Sequence, residues 1–431
     1  VRVTVVAFVI GVLVVVVGLA VSIALHEIGH LVPAKRFGVR AGQYMVGLGP
    51  VIWSRRFGET EYGVKLLPIG GYVSMAGMYA PTRQGVRARG MFATLVQDAR
   101  DANAETLQGV DDSRAFYRLP VWKRIVVMLG GPVMNLILAV VLFSVLYSGI
   151  GLQQTTTTID AVSECVQPAG SASETCDEDD PASPALAAGL RPGDRFVSLD
   201  GTEVSTFAEA SAIIQAAPDR PLPVVVDRAG ERVALTLTPV LAERQIAGED
   251  GEVTTQRVGF AGITAAVERV RQPIWSGPQA TFETVGSVTG IILQLPQRLW
   301  DTAVDLFTGQ ERDPNGPLSV VGVGRLAGEV AATEAPILDR VSAMVGLLAS
   351  VNIALFVFNL IPLLPLDGGH VAIALWDGLK RAWARLRGRP EPAPVDATRL
   401  VPVTLLVVVL MVGMGALLFA ADIFNPVRLI G

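Results

Sequence analysis

A polytopic α-helical membrane protein with four transmembrane helices, a cytoplasmic membrane-associated β-hairpin or sheet and an extracytoplasmic α+β domain is the fold this sequence predicts. Two observations carry that expectation. Of 431 residues, 51% are apolar and 17% charged, with a mean hydropathy of +0.47, which is too apolar for a soluble chain of this length. Four segments without internal charge, about 3–25, 124–148, 342–363 and 401–422, each supply the roughly 20 apolar residues that a hydrocarbon core about 30 Å thick requires.

The first of these follows Arg2 and has the general look of a secretory leader. It is longer than an h-region of roughly 7–15 residues, and no A-x-A site follows it, so it reads as a span. Orientation comes from the connecting loops, because Lys and Arg collect on the cytoplasmic side. Residues 35–124 hold fourteen Lys/Arg against seven Asp/Glu, and Lys380, Arg381, Arg385, Arg387, Arg389 and Arg399 dominate the loop between spans three and four. Both loops are expected inside. Residues 151–340 carry thirteen Arg, no Lys and twenty-seven acidic residues, so that section is expected outside.

The chain then divides as follows: 1–80, first span and cytoplasmic hairpin; 81–120, a mobile cytoplasmic insert poor in large apolar residues; 121–150, second span; 151–270, the outer domain; 271–340, an interfacial segment with Trp275 and Trp300; 341–375, third span; 376–400, a basic cytoplasmic loop; 401–431, fourth span and tail. The hairpin is expected to turn at Gly58. In the outer domain, Thr206 and Glu209 form a capping-box signal, and LPVVVD and ERVALTLTP read as strands joined at Ala229-Gly230. The two cysteines, Cys165 and Cys176, fall in the same section, where an oxidising compartment favours a bridge over two free thiols. Nothing in this pattern calls for nucleic acid as a partner.

Three histidines occur in the chain, and two of them form His26-Glu27-Ile28-Gly29-His30. Positions i and i+4 share a helix face, so the two imidazoles can meet one zinc while Glu27 takes a proton from its water. Coincidence is disfavoured because ionisable residues inside a span are costly and mark function by default. A catalytic zinc takes three protein ligands and keeps one position open. Asp367 and His370 of Leu366-Asp367-Gly368-Gly369-His370 are the candidates for the third, since spans one and three run in the same direction and bring both motifs to the same face.

HEIGHLVPAKRFGV (26–39), GLGP (47–50), PIGGYV (68–73), GGPVMN (130–135) and NLIPLLPLDGGH (359–370) together resemble the site-2 protease family of intramembrane zinc metalloproteases, in its bacterial branch with an inserted PDZ domain. The resemblance implies one Zn2+ per chain, Asp367 as the third ligand with His370 outside the ligand set, Glu27 as general base, and Asn359 holding substrate backbone or stabilising the oxyanion. From its own residues the hairpin could add an unwound substrate as an extra strand or simply lie on the headgroups; the resemblance implies the strand-adding role, with Gly70 and Gly71 meeting the substrate. SPALAAGLRPGDRFVSLDG (183–201) is similar to the PDZ domains of bacterial proteases, which implies a module that screens extended peptides or free C-termini. Gly130, Pro132 and Asn135 fit the family's GPxxN, while packing explains that Asn at least as well. GPLSVVG (316–322) is similar to a motif tied to access.

From the residues themselves, Pro362, Pro365, Gly368 and Gly369 break a regular helix, as a cleft for an unwound substrate needs. The function that the resemblance implies is regulated intramembrane proteolysis: cleavage of single-span membrane proteins, such as membrane-bound anti-sigma factors, in a bacterial plasma membrane, after an upstream site-1-type protease has cut outside. The competing reading is a membrane-tethered PDZ scaffold with a structural metal. Glu27 separates the two, because a structural zinc needs no base.

Overall fold

The computed structural model describes residues 2–79, 93–166, 176, 180–247, 253–313, 316–390, 392–393 and 395–427. Helix α1 (Arg2–Arg36) is long enough to hold the whole HEIGH motif inside regular helix and ends on Lys35 and Arg36, which suit the negative end of the helix dipole. Strands β1 (Ala41–Phe57) and β2 (Thr60–Met75) follow, turning at Gly58 with φ +62° as expected.

Their register is richer than a hairpin. Tyr44 opposes both Val73 and Tyr62, and Met45 opposes both Tyr72 and Gly63, so residues 41–46 are flanked on both sides. Glycines at positive φ (Gly47, Gly49 and Gly70) let the strands fold back. The result is a four-limbed sheet in the order 51–57, 60–65, 41–46, 71–75, with 51–57 and 71–75 as its edges.

The segment read as a mobile insert carries helix α2 (Ala93–Leu107) over part of its length; residues 80–92 lie outside the described residues. Asn103 bonds the backbone of Tyr79 in both directions, the Thr106 hydroxyl accepts from Gly77, and Arg114 makes a forked pair with Glu59. The second span is α3 (Val121–Ser144), which continues as π-helical turns over Val145–Ile150.

Residues 151–272 form a compact unit. It runs through β3 (Leu152–Val162), α4 (Pro184–Ala187), β4 (Arg195–Leu199), β5 (Thr202–Glu203), α5 (Phe207–Gln215), β6 (Leu222–Arg228), β7 (Glu231–Leu237), β8 (Val240–Ala247), β9 (Val253–Phe260) and β10 (Ile263–Val270). The sheet order is β10-β3-β4-β6-β7 with β5 beside β4, and β8 and β9 pair separately. Val224 and Val226 of β6 alternate into the core, where they meet Ile214 of α5 and both Phe196 and Leu199 of β4, which share a face across the irregularity in pairing between Phe196 and Ser198. The capping box at Thr206 and Glu209 is present, and Ala229 and Gly230 both take positive φ in the β6–β7 turn. Cys165 and Cys176 are joined by a disulfide.

The other unit resumes with α6 (Ser276–Leu293), α7 (Leu295–Thr308) and α8 (Val320–Ala332), then α9 (Ile337–Asn359), α10 (Asp367–Leu386) and α11 (Val401–Phe424). Among the described residues, four stretches are long and apolar enough to cross a membrane: Thr4–Arg36, Val121–Ile150, Ile337–Asn359 and Ala397–Phe424. The third stops at Asn359 because Pro362 and Pro365 cannot continue it. Many apolar side chains of these helices, such as Leu13, Val17, Ile137, Leu406 and Leu410, face outward, as a lipid solvent allows.

Candidate metal centre

Three acceptor atoms converge where α1 meets α10. His26 Nε2 and His30 Nε2 are 3.2 Å apart, and Asp367 Oδ2 lies 3.3 Å from each. The two imidazoles come from one face of α1, one turn apart, and Asp367 is the first residue of α10. His30 Nδ1 donates to the Val127 carbonyl at 2.8 Å, which leaves its Nε2 as a lone pair directed into the triangle. Asp367 Oδ2 is buried and receives no well-formed hydrogen bond.

Lone pairs and a carboxylate oxygen do not converge at 3.3 Å without a cation or protons between them. Ligand atoms at about 2.0–2.1 Å from a tetrahedral zinc stand about 3.3–3.4 Å from one another, and the triangle has that size. The residues therefore fit a zinc ion with one position left open.

Glycines make the convergence possible. A Cβ on Gly29 would stand 2.2 Å from the Gly130 carbonyl oxygen, and one on Gly130 would stand 1.9 Å from the Gly29 carbonyl oxygen, so α1 and α3 cross backbone to backbone. A Cβ on Gly131 would reach His30 Nε2 at 2.2 Å and His26 Nε2 at 2.7 Å, inside the space the ion needs. Gly368 and Gly369 admit the carbonyls of Leu360 and Ile361 and the backbone of Leu363 and Leu364, which folds the Pro362–Pro365 stretch back over the start of α10.

Glu27 is buried beside this triangle. A Cβ on Gly71 would stand 3.0 Å from Glu27 Cγ and 2.9 Å from the Met45 carbonyl oxygen, so the 71–75 edge limb runs directly past the Glu27 side chain. Tyr44, whose hydroxyl donates to the Ala24 carbonyl at 2.9 Å, sits on the neighbouring limb. Burial and the nearby Glu27 carboxylate push its phenol up to about 12, so it stays a donor at any physiological pH. Gly70 takes φ +85° at the start of the same edge limb.

His370 lies outside the triangle, stacked on Tyr79 with ring centroids 6.0 Å apart. Burial pushes its imidazole down to about 4, so the ring is neutral. Asn359 closes α9 with its Nδ2 donating to Leu355, and among the described residues no hydrogen bond joins it to His26, His30 or Asp367.

Sequence reading missed two supporting pairs and the partner of Asn135. Asn135 Nδ2 and His26 Nδ1 stand 3.1 Å apart while Asn135 Oδ1 has no partner. Turning the amide over puts the carbonyl oxygen against His26 Nδ1–H, which satisfies both groups and leaves Nε2 free for metal. The GGPVMN motif was visible, but its link to His26 was not. Asn352, fully buried, donates to Ser22 Oγ at 3.0 Å one turn before His26. Arg124 and Asp377, both buried, bond at 3.1 Å and tie α3 to α10.

Comparison with known proteins finds zinc metalloproteases among the relatives of this chain. The model of the family described as "Peptidase family M50" matches residues 14–393. The chain is 34% identical over 431 residues to zinc metalloprotease Rip1 of Mycobacterium tuberculosis, covering 98% of this chain and 99% of the relative. It is 30% identical to Rip1 of Mycolicibacterium smegmatis over 435 residues with the same coverage. It is 28% identical to metalloprotease MmpA of Caulobacter vibrioides over 383 residues, 84% of this chain and 85% of that one.

Proposed function

The chain belongs to peptidase family M50, the site-2 protease family of zinc metalloproteases, and from that premise we propose that it cleaves single-span membrane proteins within the bilayer, using His26, His30 and Asp367 as ligands of one zinc and Glu27 as general base. The observation that carries the reading is the equilateral set of acceptor atoms with a buried carboxylate and a sheet edge beside it.

When bound, zinc supplies a Lewis acid that polarises the scissile carbonyl and acidifies a water. Glu27 accepts the proton that the attacking water gives up and returns it to the leaving amine, so the base is regenerated. Its burial next to Gly71 keeps bulk water away and sets its side chain beside a backbone lying along the edge limb. A substrate helix has its carbonyls masked by internal hydrogen bonds and must unwind before attack. Pairing of the unwound stretch with residues 70–75 replaces those bonds through main-chain groups, independent of side-chain identity. In this reading Asn359, at the end of α9, holds the substrate backbone or the developing oxyanion once its amide leaves Leu355.

The charge of the loops supports a centre toward the cytoplasmic face of a bacterial plasma membrane, with 151–272 outside. The α4-β4-β5-α5-β6 order and the open edge of β10 support reading that unit as a PDZ domain that admits substrates already trimmed by an outer protease, with an anti-sigma factor as a fitting substrate class. Helices α6 and α7, with Phe282, Trp300 and Phe307 exposed, suit an interfacial position at the outer leaflet, and the GPLS stretch before α8 suits control of access.

The test pairs zinc analysis of the purified protein with a co-expressed single-span reporter. Glu27→Gln should keep zinc and stop cleavage, and Asp367→Ala should lose both. Cleavage by the Glu27→Gln variant at the unaltered rate would remove this mechanism.

A further inference from the structure

Helix α10 has a face that the fold does not cover. At 100° per residue, Leu375, Trp376, Leu379, Ala382, Trp383 and Leu386 fall within an arc of about 120°, and the five large ones are 54–83% exposed. The rotation that presents this stripe is fixed from behind: Asp377 is bonded to Arg124 and to the Val395 backbone N–H, and Ala374 and Ala384 are buried beside it.

Cations border the stripe. Arg387 lies on one side with its guanidinium 4.2 Å over the Trp383 ring, Arg385 lies on the other, and Arg389 follows the last turn. Lys380, on the Arg387 side, is turned toward Asp377 and the Ala393 carbonyl. Both ends of the helix are tied to membrane-crossing segments: one ends at Asn359, shortly before Asp367, and the next begins at Ala397, shortly after Leu386. α10 itself is not among the stretches apolar enough to cross.

We propose that α10 lies in the headgroup layer of the bilayer, its apolar stripe among acyl chains, with Arg385, Arg387 and Arg389 binding the phosphate groups of anionic phospholipids. An apolar arc with flanking cations and interfacial tryptophans is the pattern of a helix lying in such a layer. A second copy of the chain fits the stripe poorly, because the two cationic borders would then oppose each other. The same helix opens with Asp367, so the membrane surface seats the element that delivers the third ligand. The inference rests on reading the chain as membrane-spanning, and its readout depends on neither zinc nor cleavage.

The test uses the full chain reconstituted in phosphatidylcholine vesicles carrying bromine either on phosphatidylcholine or, at equal bromine content, on phosphatidylglycerol. The difference in fluorescence between the unaltered protein and Trp383→Phe isolates the signal of Trp383. Each cation near an anionic surface favours it roughly fivefold, so quenching by the brominated phosphatidylglycerol should be at least about threefold stronger. The triple variant Arg385→Gln/Arg387→Gln/Arg389→Gln should lose that preference and keep quenching by phosphatidylcholine. Equal quenching by the two lipids, or a preference that survives the triple variant, would overturn the proposal. So would a Trp383 that neither lipid quenches, the result expected if a second copy or a partner protein covers the stripe.

Discussion

The two units solve the problem of cohesion with different chemistry. Residues 151–272 close around a continuous apolar core in which Phe196, Leu199, Leu222, Val224, Val226 and Leu237 are almost wholly buried. The rest of the chain carries far more apolar surface, yet much of it points outward: Val17, Ile137, Leu410 and Val412 are each at least half exposed. Lipid is as apolar as leucine, so burying such side chains between helices gains little. The spans are fixed instead by glycines that let backbones touch, Gly29 on Gly130 and Gly11 on Ala327, and by buried polar pairs with at least one member on a span. Asn352 to Ser22, Arg124 to Asp377 and Arg312 to Asp422 are the clearest of these. The metal centre sits on the second kind of cohesion, so its integrity should follow small and polar residues and be indifferent to most large ones.

The sharpest break is Gly130→Leu. With 1.9 Å between an added Cβ and the Gly29 carbonyl, α1 and α3 must separate, and His26 and His30 move with α1. Zinc content should fall to background by metal analysis, whereas Leu410→Ala on the lipid-facing side should leave it unchanged. Next is Asp377→Asn, which leaves the buried Arg124 cation unpaired, a change that costs about 3–5 kcal/mol. Since Asp377 shares α10 with Asp367, zinc should be lost to a chelator markedly faster, and restoring the pair as Arg124→Asp with Asp377→Arg should recover part of the difference. Phe196→Ala, a cavity of comparable cost at about 3–5 kcal/mol, makes the contrast: it should raise hydrogen exchange throughout β4 and β6 with no change in zinc content. Zinc loss in that variant would show that the two forms of cohesion are not separate.

The sequence makes one half of this comparison easier to read than the other. HEIGH and LDGGH were legible because ionisable side chains at fixed spacing in an apolar context are too costly to persist without a chemical role. The β6–β7 turn and α5 cap were legible because their signals are local. The four-limbed sheet was not legible beyond its Gly58 turn, since the double pairing of residues 41–46 is a long-range register that no alternation reveals. Helix α2 lacks the apolar periodicity that marks a helix, and is held by Asn103 and Thr106 on the backbone of Tyr79 and Gly77 and by Arg100 on Asp396. Gly29 and Gly130 were visible as motif letters, but which glycine meets which depends on how two spans cross. The contact of Asn135 with His26 has the same origin, because either end of GGPVMN can face a neighbour until the crossing is known.

The smallest effect concerns an ion pair that belongs to the apolar-core unit. Asp194, buried, accepts from Arg228 Nε at 2.7 Å, from Arg228 Nη2 at 2.8 Å and from the Arg191 backbone N–H at 2.9 Å. Burial alone would raise its pKa; the guanidinium and the backbone donor outweigh it and hold the carboxyl below its ordinary value. A carboxyl whose folded pKa is depressed stabilises the fold above its unfolded pKa, about 3.9, and that contribution fades as pH falls through the lower folded value. Exchange of amides in β4 and β6, corrected for intrinsic rates, should therefore accelerate below about pH 4. Asp194→Asn should be less protected near neutrality and show a weaker acid-dependent rise. An unchanged profile in that variant would mean that the pair adds nothing to a unit its apolar residues already hold.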